Sequence, residues 1–276
     1  MKTSGGEVGD WGEALHVGVS PWVAARPTEA NIAGREHVCG SVVAWLERLG
    51  FHVERCGPSG GIVRASRAGT GRLRLGLIGH YDVEDAGSGW TYPSHEATRA
   101  GGRIFGRGLA DNLGPLWLRL AAIDEHASDS TPSLLLVLQG EEEIGSPEAH
   151  QTFPKLQWPR VDLWLEETGY FELDGSQRIL ARNHDEATAP IVAAVERVAA
   201  GDGRASRRHD RFLNKALGPA QCPFLTHLVR DRPYLAIGPN DPASAIHRPD
   251  ESLPEQNLEL SVRQFRAVLT AASEID

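Results

Sequence analysis

Two stretches of the sequence decide the fold: LRLGLIGHYD at residues 73–82 and SLLLVLQGEEE at residues 133–143. Each is a largely apolar run of strand length that ends in glycine and then in ionisable side chains. A run that is apolar on both faces is typical of a buried parallel strand, because a strand with one face in water alternates apolar and polar residues. We therefore interpret both runs as central strands of an α/β sheet.

Helical and strand patterns alternate around these two runs. The predicted helices are residues 29–49, 113–126, 188–200 and 254–272, and the further predicted strands are residues 51–55, 62–65, 161–165, 179–181 and 234–237. Gly50 is the predicted stop of the first helix. With no internal repeat or linker, this alternation predicts one α/β domain over residues 1–276, with helices on both faces of a mostly parallel or mixed sheet. Residues 201–230, which contain a basic stretch, are compatible with a solvated loop.

The composition argues against several classes of protein. The chain carries 28 basic against 37 acidic side chains, a formal net charge of −9, which disfavours binding to nucleic-acid phosphates. It has no run of about 18 apolar residues, which a membrane-spanning helix needs. Residues 1–12 lack the basic and apolar parts of a secretory signal. We therefore expect a cytoplasmic protein with neither nucleic-acid nor membrane partners.

The cysteines indicate neither a disulfide framework nor a thiolate zinc site. Cys39, Cys56 and Cys222 are far apart in the sequence and form no CxxC pair. Structural thiols are the favoured interpretation. Any metal site is therefore expected to use oxygen and nitrogen ligands.

Ionisable side chains follow both central strands. His80 and Asp82 come after the first strand, and residues 141–143, three adjacent glutamates, come after the second. In an open α/β sheet, ligands bind at the carboxyl ends of the strands, where a crevice forms. The two-residue spacing puts His80 and Asp82 on the same side of an extended segment. Asp82 is therefore expected to hold the second ring nitrogen of His80 and fix its tautomer.

Three further candidates lie in comparable positions. Asp111 lies in the glycine-rich loop GRGLADN before a predicted helix, Glu166 ends a predicted strand, and His247 lies in the loop AIHRPDE. The adjacent glutamates at residues 141–143 would repel one another strongly unless a cation were present. The sequence therefore predicts a cation at this edge of the sheet.

The candidate residues form a set of nitrogen and oxygen ligands. Two imidazoles and several carboxylates suit Zn²⁺, or its neighbours Co²⁺ and Mn²⁺. A pair of such ions can activate a water molecule and polarise a carbonyl group. A carboxylate outside the coordination shell must then accept the proton and return it. This combination predicts hydrolysis of an amide bond.

Three motifs resemble those of a known family. GHYDV at residues 79–83, GRGLADNLG at 106–114 and GEEEIGS at 140–146 are similar to motifs of metallopeptidase family 20. These co-catalytic zinc peptidases and deacylases include aminoacylase, carnosinase, acetylornithine deacetylase and succinyl-diaminopimelate desuccinylase. The resemblance implies a zinc-exopeptidase-like α/β fold and hydrolysis of a peptide or an N-acyl amino acid.

The resemblance also implies a role for each candidate residue. Two Zn²⁺ ions would share Asp111, and Glu142 would act as the general base. Asp82, whose spacing predicts that it fixes the tautomer of His80, is counted with Glu142 as a catalytic residue. The implied metal ligands are His80, Asp111 and Glu166 for one ion and Asp111, Glu143 and His247 for the other.

The chain departs from the family pattern in three places. Family members usually have a lysine two positions after the bridging aspartate, where this chain has Leu113. They also insert a lid or dimerisation domain between the ligands that correspond to Glu166 and His247. Here the gap of 247 − 166 = 81 positions is largely taken up by predicted strands and helices. The glycine-rich segment and aspartate that precede their last strand are not recognisable at residues 217–227. We expect the lid to be absent and the protein to be a monomer.

Without a lid, the substrate contacts that it makes in relatives must be replaced within this chain, abandoned or supplied by a partner. Those contacts include a histidine at the transition state and basic or amide side chains for the substrate carboxylate. The candidates in this chain, which no motif selects, are Arg178, Arg182, His184, Arg207, Arg208, His209 and His227. An open cleft would accept a small-molecule or peptide substrate, including a larger group presented by another protein.

Each candidate ligand also has a purely structural interpretation. Asp111 could cap a helix, Glu142 and Glu143 could be first-turn acids, and the two histidines could be ordinary strand-end or loop residues. Together these interpretations require several coincidences, which favours the metal site. Two other functions stay open: cyclisation or transfer on a lidless zinc aminopeptidase-like scaffold, and a non-catalytic binding protein whose site has decayed.

Overall fold

The computed structural model describes residues 9–126, 131–166, 169–212 and 222–275. The α-helices in these ranges are α1 Trp11–Ala25, α2 Ile32–Arg48, α3 Leu113–Glu125, α4 Pro147–Thr152, α5 Ala189–Gly201 and α6 Leu258–Glu274. The strands are β1 His52–Cys56, β2 Ile62–Arg67, β3 Arg74–His80, β4 Thr98–Ala100, β5 Arg103–Phe105, β6 Ser133–Gln139, β7 Leu163–Glu166, β8 Tyr170–Phe171, β9 Gln177–Arg182, β10 Ser206–His209, β11 Tyr234–Ala236 and β12 Ser252–Pro254. Short 3₁₀ turns at Phe153–Lys155 and Glu255–Asn257 and a π-helical segment at Phe224–Val229 are also present. No helix in these ranges is long and apolar enough to cross a membrane.

A mixed sheet forms the centre of the structure. Its strand order is β1-β2-β6-β3-β7-β11-β9-β10, with β8 paired to β9. Strands β6, β3, β7 and β11 run parallel to one another, while β2 and β9 pair antiparallel with β6 and β11. The prediction of a mostly parallel or mixed sheet is confirmed, and the two runs that predicted it, β3 and β6, are neighbours.

Helices cover both faces of this sheet, as the sequence predicts. On one face, Leu77 and Leu136 belong to a buried cluster with residues of α1, α2, α3, α5 and α6. On the other face, Val137 and Trp164 cluster with Phe153 and with residues of the Phe224–Val229 segment. Because successive strand residues point to opposite faces, a three-layer fold needs strands that are apolar at every position.

Helix α2 ends close to the predicted glycine stop. Its last residue is Arg48, and Gly50 follows with φ +81°. This left-handed conformation costs glycine little because glycine has no Cβ atom. At the other end, the side chain of Asn31 accepts the N–H of Gly34 at 3.1 Å and caps the helix.

Helix α1 is not predicted from the sequence. Glycines at two positions and Pro21 lower the helix propensity of this segment. Asp10 nevertheless caps the helix by accepting the N–H of Glu13 at 3.1 Å, and Leu15 and Val19 are fully buried. Packing against the core therefore overrides a weak local preference.

The structure contradicts the interpretation of residues 201–230 as a solvated loop. Strand β10 extends the sheet beside β9, and Phe224–Val229 packs into the core of the opposite face. The arginines of the basic stretch that lie in β10, Arg207 and Arg208, form ion pairs with acidic neighbours. Residues 213–221 lie outside the described residues.

Candidate metal centre

The candidate residues after β3, β6 and β7 emerge at one edge of the sheet. His80 of β3 is paired with Gln139 of β6, just before the glutamates at 141–143. On the other side of β3, Ile78 is paired with Glu166, the last residue of β7. Parallel strands align their carboxyl ends, and the register leaves no large offset between these three ends.

His80 presents one ring nitrogen to the site. Its Nδ1 lies 3.0 Å from the backbone carbonyl oxygen of Asp82, to which it donates a hydrogen bond. Its Nε2 lies 3.0 Å from Oδ1 of Asp111. Burial lowers the pKa of His80, but the hydrogen bonds with Asp111 and Asp82 outweigh this effect and raise it well above the usual value.

Asp82 fixes His80 through its backbone more than through its carboxylate. Oδ1 of Asp82 lies 3.4 Å from Nδ1 of His80, beyond the 3.0 Å of the backbone contact. Oδ2 accepts the backbone N–H of Glu143 at 3.0 Å. The expected contact to the second ring nitrogen of His80 is therefore made mainly by the main chain, and the carboxylate ties β3 to the glutamate loop.

Asp111 lies between the two candidate imidazoles. Its Oδ2 lies 3.5 Å from Nε2 of His247, while Oδ1 contacts His80. Burial raises the pKa of Asp111, but hydrogen bonds with His247 and His80 hold it well below the usual value. The peptide bond from Asp111 to Asn112 is cis. An ionised carboxylate whose two oxygens contact two different imidazoles is suited to bridge two metal ions.

Glu143 and His247 form the second half of this cluster. Oε2 of Glu143 lies 2.9 Å from Nε2 of His247. Burial raises the pKa of Glu143, and the hydrogen bonds with Asp111 and Glu143 raise the pKa of His247 to about 10. The second carboxylate oxygen of Glu143, Oε1, is buried and has no hydrogen-bond partner among the described residues.

Part of the predicted ligand set meets the distance expected of a metal site. Within the described part of the chain, His80, Asp111 and Glu143 each offer an atom, and these atoms all lie within 4.8 Å of one another. His247 contacts two members of this group through Nε2. The structure thus brings four predicted ligands together from four separate segments.

Glu166 lies at the same sheet edge but outside this group. Its Oε2 accepts a hydrogen bond from the hydroxyl of Tyr234 at 3.1 Å. Its backbone carbonyl accepts one from Arg119 at 3.2 Å. Tyr234 lies on the adjacent strand β11 and is fully buried, so the orientation of Glu166 depends on a buried phenol.

The three adjacent glutamates lie at the start of a tight turn, and their side chains have different surroundings. Oε2 of Glu141 accepts the N–H of Glu148 at 3.3 Å, so Glu141 hydrogen-bonds to the first turn of α4. The carbonyl of Glu142 accepts the N–H of Gly145 at 2.9 Å and closes the turn. Burial raises the pKa of the Glu142 carboxyl, and the nearby charges of Asp111 and Glu143 raise it further. A raised pKa makes this carboxylate a better proton acceptor than an ordinary glutamate.

Comparison with known proteins identifies the family. The model of the peptidase family M20/M25/M40 matches residues 76–271. The chain belongs to this family. Succinyl-diaminopimelate desuccinylase of Rhodospirillum rubrum is 34% identical over 142 residues, which cover 44% of this chain and 36% of the relative. Beta-Ala-Xaa dipeptidase of Lactobacillus delbrueckii subsp. lactis is 43% identical over 74 residues, 26% of this chain and 15% of the relative. The chain thus spans about a third or less of these curated relatives.

Solved structures share the fold over nearly the whole chain. Human carnosine dipeptidase 1 has a TM-score of 0.71 at 11% identity, with 95% of this chain and 97% of that chain covered. The dipeptidase Dug1p of Saccharomyces cerevisiae has a TM-score of 0.68 at 12% identity, with 95% and 96% covered. At these identities the likeness concerns the fold alone.

Leu113, where the resemblance leads us to expect a lysine, anchors the glycine-rich loop in the core. Leu113 begins α3 and is fully buried in the core. Its N–H donates to the carbonyl of Gly108 at 2.7 Å and closes the glycine-rich loop. The loop that carries Asp111 is thus closed by a main-chain hydrogen bond and an apolar anchor.

Sequence reasoning does not identify Arg107 and Glu251, which lie directly behind Asp111. Both side chains are buried and form an ion pair. Burial raises the pKa of Glu251 to about 7, although the Arg107 charge opposes this. The only local signals are that Arg107 stands between two glycines of one quoted loop and that Glu251 follows His247 by four positions in another.

The candidate replacements for the lid contacts are mostly engaged elsewhere. Arg178, Arg207 and Arg208 form ion pairs with Glu172, Asp174 and Glu196, respectively. Nε2 of His184 donates to the carbonyl of Tyr234 at 2.8 Å. Their roles toward a substrate therefore remain predictions that these contacts do not support.

Proposed function

We propose that this chain is a metal-dependent hydrolase that cleaves an amide bond in a peptide or an N-acyl amino acid. The observation that carries the proposal is the convergence of His80, Asp111, Glu143 and His247 at the sheet edge. Membership of the peptidase family and relatives named as a desuccinylase and a dipeptidase support the same reaction class.

The residues present fit a metal site. Imidazole nitrogens and carboxylate oxygens are the donors that Zn²⁺ binds, and the buried Oε1 of Glu143 has no hydrogen-bond partner among the described residues. We assign two Zn²⁺ ions, with Co²⁺ or Mn²⁺ as alternatives. In this proposal His80, Asp111 and Glu166 would hold one ion, and Asp111, Glu143 and His247 would hold the other.

The proposed reaction depends on one carboxylate that is not a ligand. When bound, the metal ions polarise the scissile carbonyl group and lower the pKa of a water molecule. Glu142 would accept a proton from the water as its oxygen bonds to the carbonyl carbon, and would pass that proton to the nitrogen as the C–N bond breaks. Its raised pKa suits this role, because the group must hold the proton between the two steps. Asp82 orients His80 and anchors the N–H of Glu143.

We also propose that the lid domain is absent and that the protein is a monomer. Between Glu166 and His247, residues 169–212 and 222–246 include β8, β9, α5, β10 and β11, which belong to the central sheet or pack on it. The remaining residues, 213–221, lie outside the described residues, as does part of the segment 217–227 that departs from the family pattern. An open cleft of this kind would admit a larger acyl or peptidyl group, including one presented by another protein.

Metal analysis followed by a substrate screen tests the proposed function. The purified chain should contain close to two equivalents of Zn²⁺ and should hydrolyse members of a set of dipeptides and N-acyl amino acids. Chelation should abolish the activity, and added Zn²⁺ should restore it. Mass spectrometry distinguishes the reaction, since hydrolysis adds one water to the products and cyclisation does not. Metal-free protein with full activity, or products without added water, would contradict the proposal.

A further inference from the structure

The carboxylate of Glu251 hydrogen-bonds to the backbone at Asp111. Its carboxylate is fully buried, and Oε1 accepts the N–H of Ala110 at 2.9 Å and that of Asp111 at 3.0 Å. Its own carbonyl accepts the N–H of Gly106 at 3.0 Å. Glu251 lies in the same loop as His247, so one residue joins the segment of Asp111 to the segment of His247.

Arg107 extends this connection to a third segment. Its Nη1 donates to Oε2 of Glu251, and its Nη2 donates to the carbonyl of Asp85 at 3.2 Å. Its guanidinium carbon lies 5.4 Å from the centre of the Trp90 ring. Asp85 and Trp90 belong to the segment after Asp82, so the Arg107–Glu251 pair links the three loops that carry Asp82, Asp111 and His247.

We propose that Glu251 is a positioning residue for the metal centre. By accepting two consecutive N–H groups, it orients the Asp111 carboxylate between His80 and His247, and Arg107 neutralises its buried charge. The inference rests on the proposed function.

Stability alone explains this ion pair poorly. Apolar residues of similar size often replace a buried ion pair at no net cost in folding free energy, because the charges lose their hydration. An orienting role accounts for the choice of residue, since Oε1 of Glu251 accepts the N–H groups of both Ala110 and Asp111, while Oε2 accepts from Arg107. Loss of a residue that orients a metal ligand typically lowers metal affinity about 10–100-fold.

Two double variants separate the orienting contact from the ion pair. R107M/E251Q removes both charges and keeps an amide oxygen that can accept the Asp111 N–H. R107M/E251L removes the charges and the acceptor together. We expect R107M/E251Q to bind Zn²⁺ nearly as tightly as the unchanged chain. We expect R107M/E251L to bind Zn²⁺ at least about tenfold more weakly and to shift the visible absorption bands of bound Co²⁺, which report coordination geometry.

The matched control removes a different buried polar pair. Gln177 and Gln264 are fully buried and hydrogen-bond to each other between β9 and α6. Gln177→Leu/Gln264→Leu should change the thermal unfolding midpoint and leave Zn²⁺ affinity and the Co²⁺ spectrum unchanged. Equal weakening in this control would show that any loss of packing lowers affinity, which would overturn the proposal.

The outcomes separate this inference from the proposed function. A folded R107M/E251L that binds Zn²⁺ and Co²⁺ as the unchanged chain does would overturn the positioning role while the proposed function stands. Failure of the unchanged chain to bind metal would overturn the proposed function itself. If R107M/E251L does not fold, Glu251→Asp takes its place, because it keeps the charge beside Arg107 but withdraws the carboxylate by one methylene. Unchanged metal binding by Glu251→Asp would then refute the inference.

Discussion

Nε2 of His247 lies 2.9 Å from Oε2 of Glu143, in a contact that joins a surface loop to the end of a central strand. The histidine side chain is about half exposed, whereas that of the glutamate is buried, with relative exposures of 48% and 4%. Hydrogen bonds with Asp111 and with Glu143 raise the pKa of His247 to about 10. In the metal-free protein, His247 is therefore protonated at neutral pH. It must lose this proton before it can bind the metal ion that we assign to it.

Metal binding should release protons. A ligand imidazole must be neutral, and the pKa values of both His80 and His247 are raised in the metal-free protein. Binding of both ions near pH 7 should therefore release about two protons, and affinity should rise with pH between about 6 and 8. Isothermal titration calorimetry in buffers of different ionisation enthalpy measures this number. His247→Asn should reduce it by about one, and binding without proton release would contradict the assignment of the histidines.

Glu142→Gln should abolish turnover without loss of metal. Removing a general base typically lowers kcat by about 10²–10⁴-fold, whereas a residue that is not a ligand contributes little to metal content. Glu141→Gln is the matched control, because Glu141 serves the start of α4 and glutamine can still accept the N–H of Glu148. The control should retain activity. Full activity of Glu142→Gln would eliminate this residue as the base.

Tyr234→Phe should weaken the binding of the metal ion that we assign to Glu166. The substitution removes the hydroxyl that donates to Oε2 of Glu166, and such supporting contacts affect metal affinity about 10-fold or more. The loss of one hydrogen bond should also lower the free energy of unfolding by about 1 kcal/mol. Tyr81→Phe is the control, because the Tyr81 hydroxyl donates to the carbonyl of Gly61 instead. Comparable weakening of metal binding in both variants would argue against a specific role for Tyr234.

Acid should destabilise the fold partly through His184. Burial lowers the pKa of His184; Nε2 donates to a carbonyl, and the buried Nδ1 has no hydrogen-bond partner among the described residues. The unfolded chain therefore takes up a proton first, as pH falls below about 6.5, and the stability present above that pH is lost on acidification. Urea unfolding at pH 7.5 and 5.5 should show a smaller loss for His184→Gln than for the unchanged chain. The exposed His37 provides the control His37→Gln, which should behave like the unchanged chain.

The edge of the sheet that holds the site could be predicted from the sequence. Parallel strands align their carboxyl ends, so polar residues that directly follow apolar runs must meet there. This reasoning places His80, Glu143 and Glu166 correctly at one edge. It does not predict that Glu166 hydrogen-bonds to Tyr234, because that contact depends on which strand lies beside β7.

The residues behind the site could not be predicted in the same way. Arg107 and Glu251 are 144 positions apart, and charged loop residues are usually solvated, so no local pattern marks this pair as buried. Helix α1 could not be predicted for a different reason. Pro21 and two glycines lower its helix propensity, and the helix forms because Leu15 and Val19 are buried in the core. In both cases contacts between distant segments decide the structure.

Anomalous diffraction at the zinc absorption edge, from crystals of the zinc-loaded protein, tests the central claim most directly. We predict two zinc peaks about 3.5–4 Å apart, one on either side of the Asp111 carboxylate, with His80 and Glu166 at one and Glu143 and His247 at the other. Zinc peaks located away from these side chains, or none after loading with excess zinc, would contradict the account.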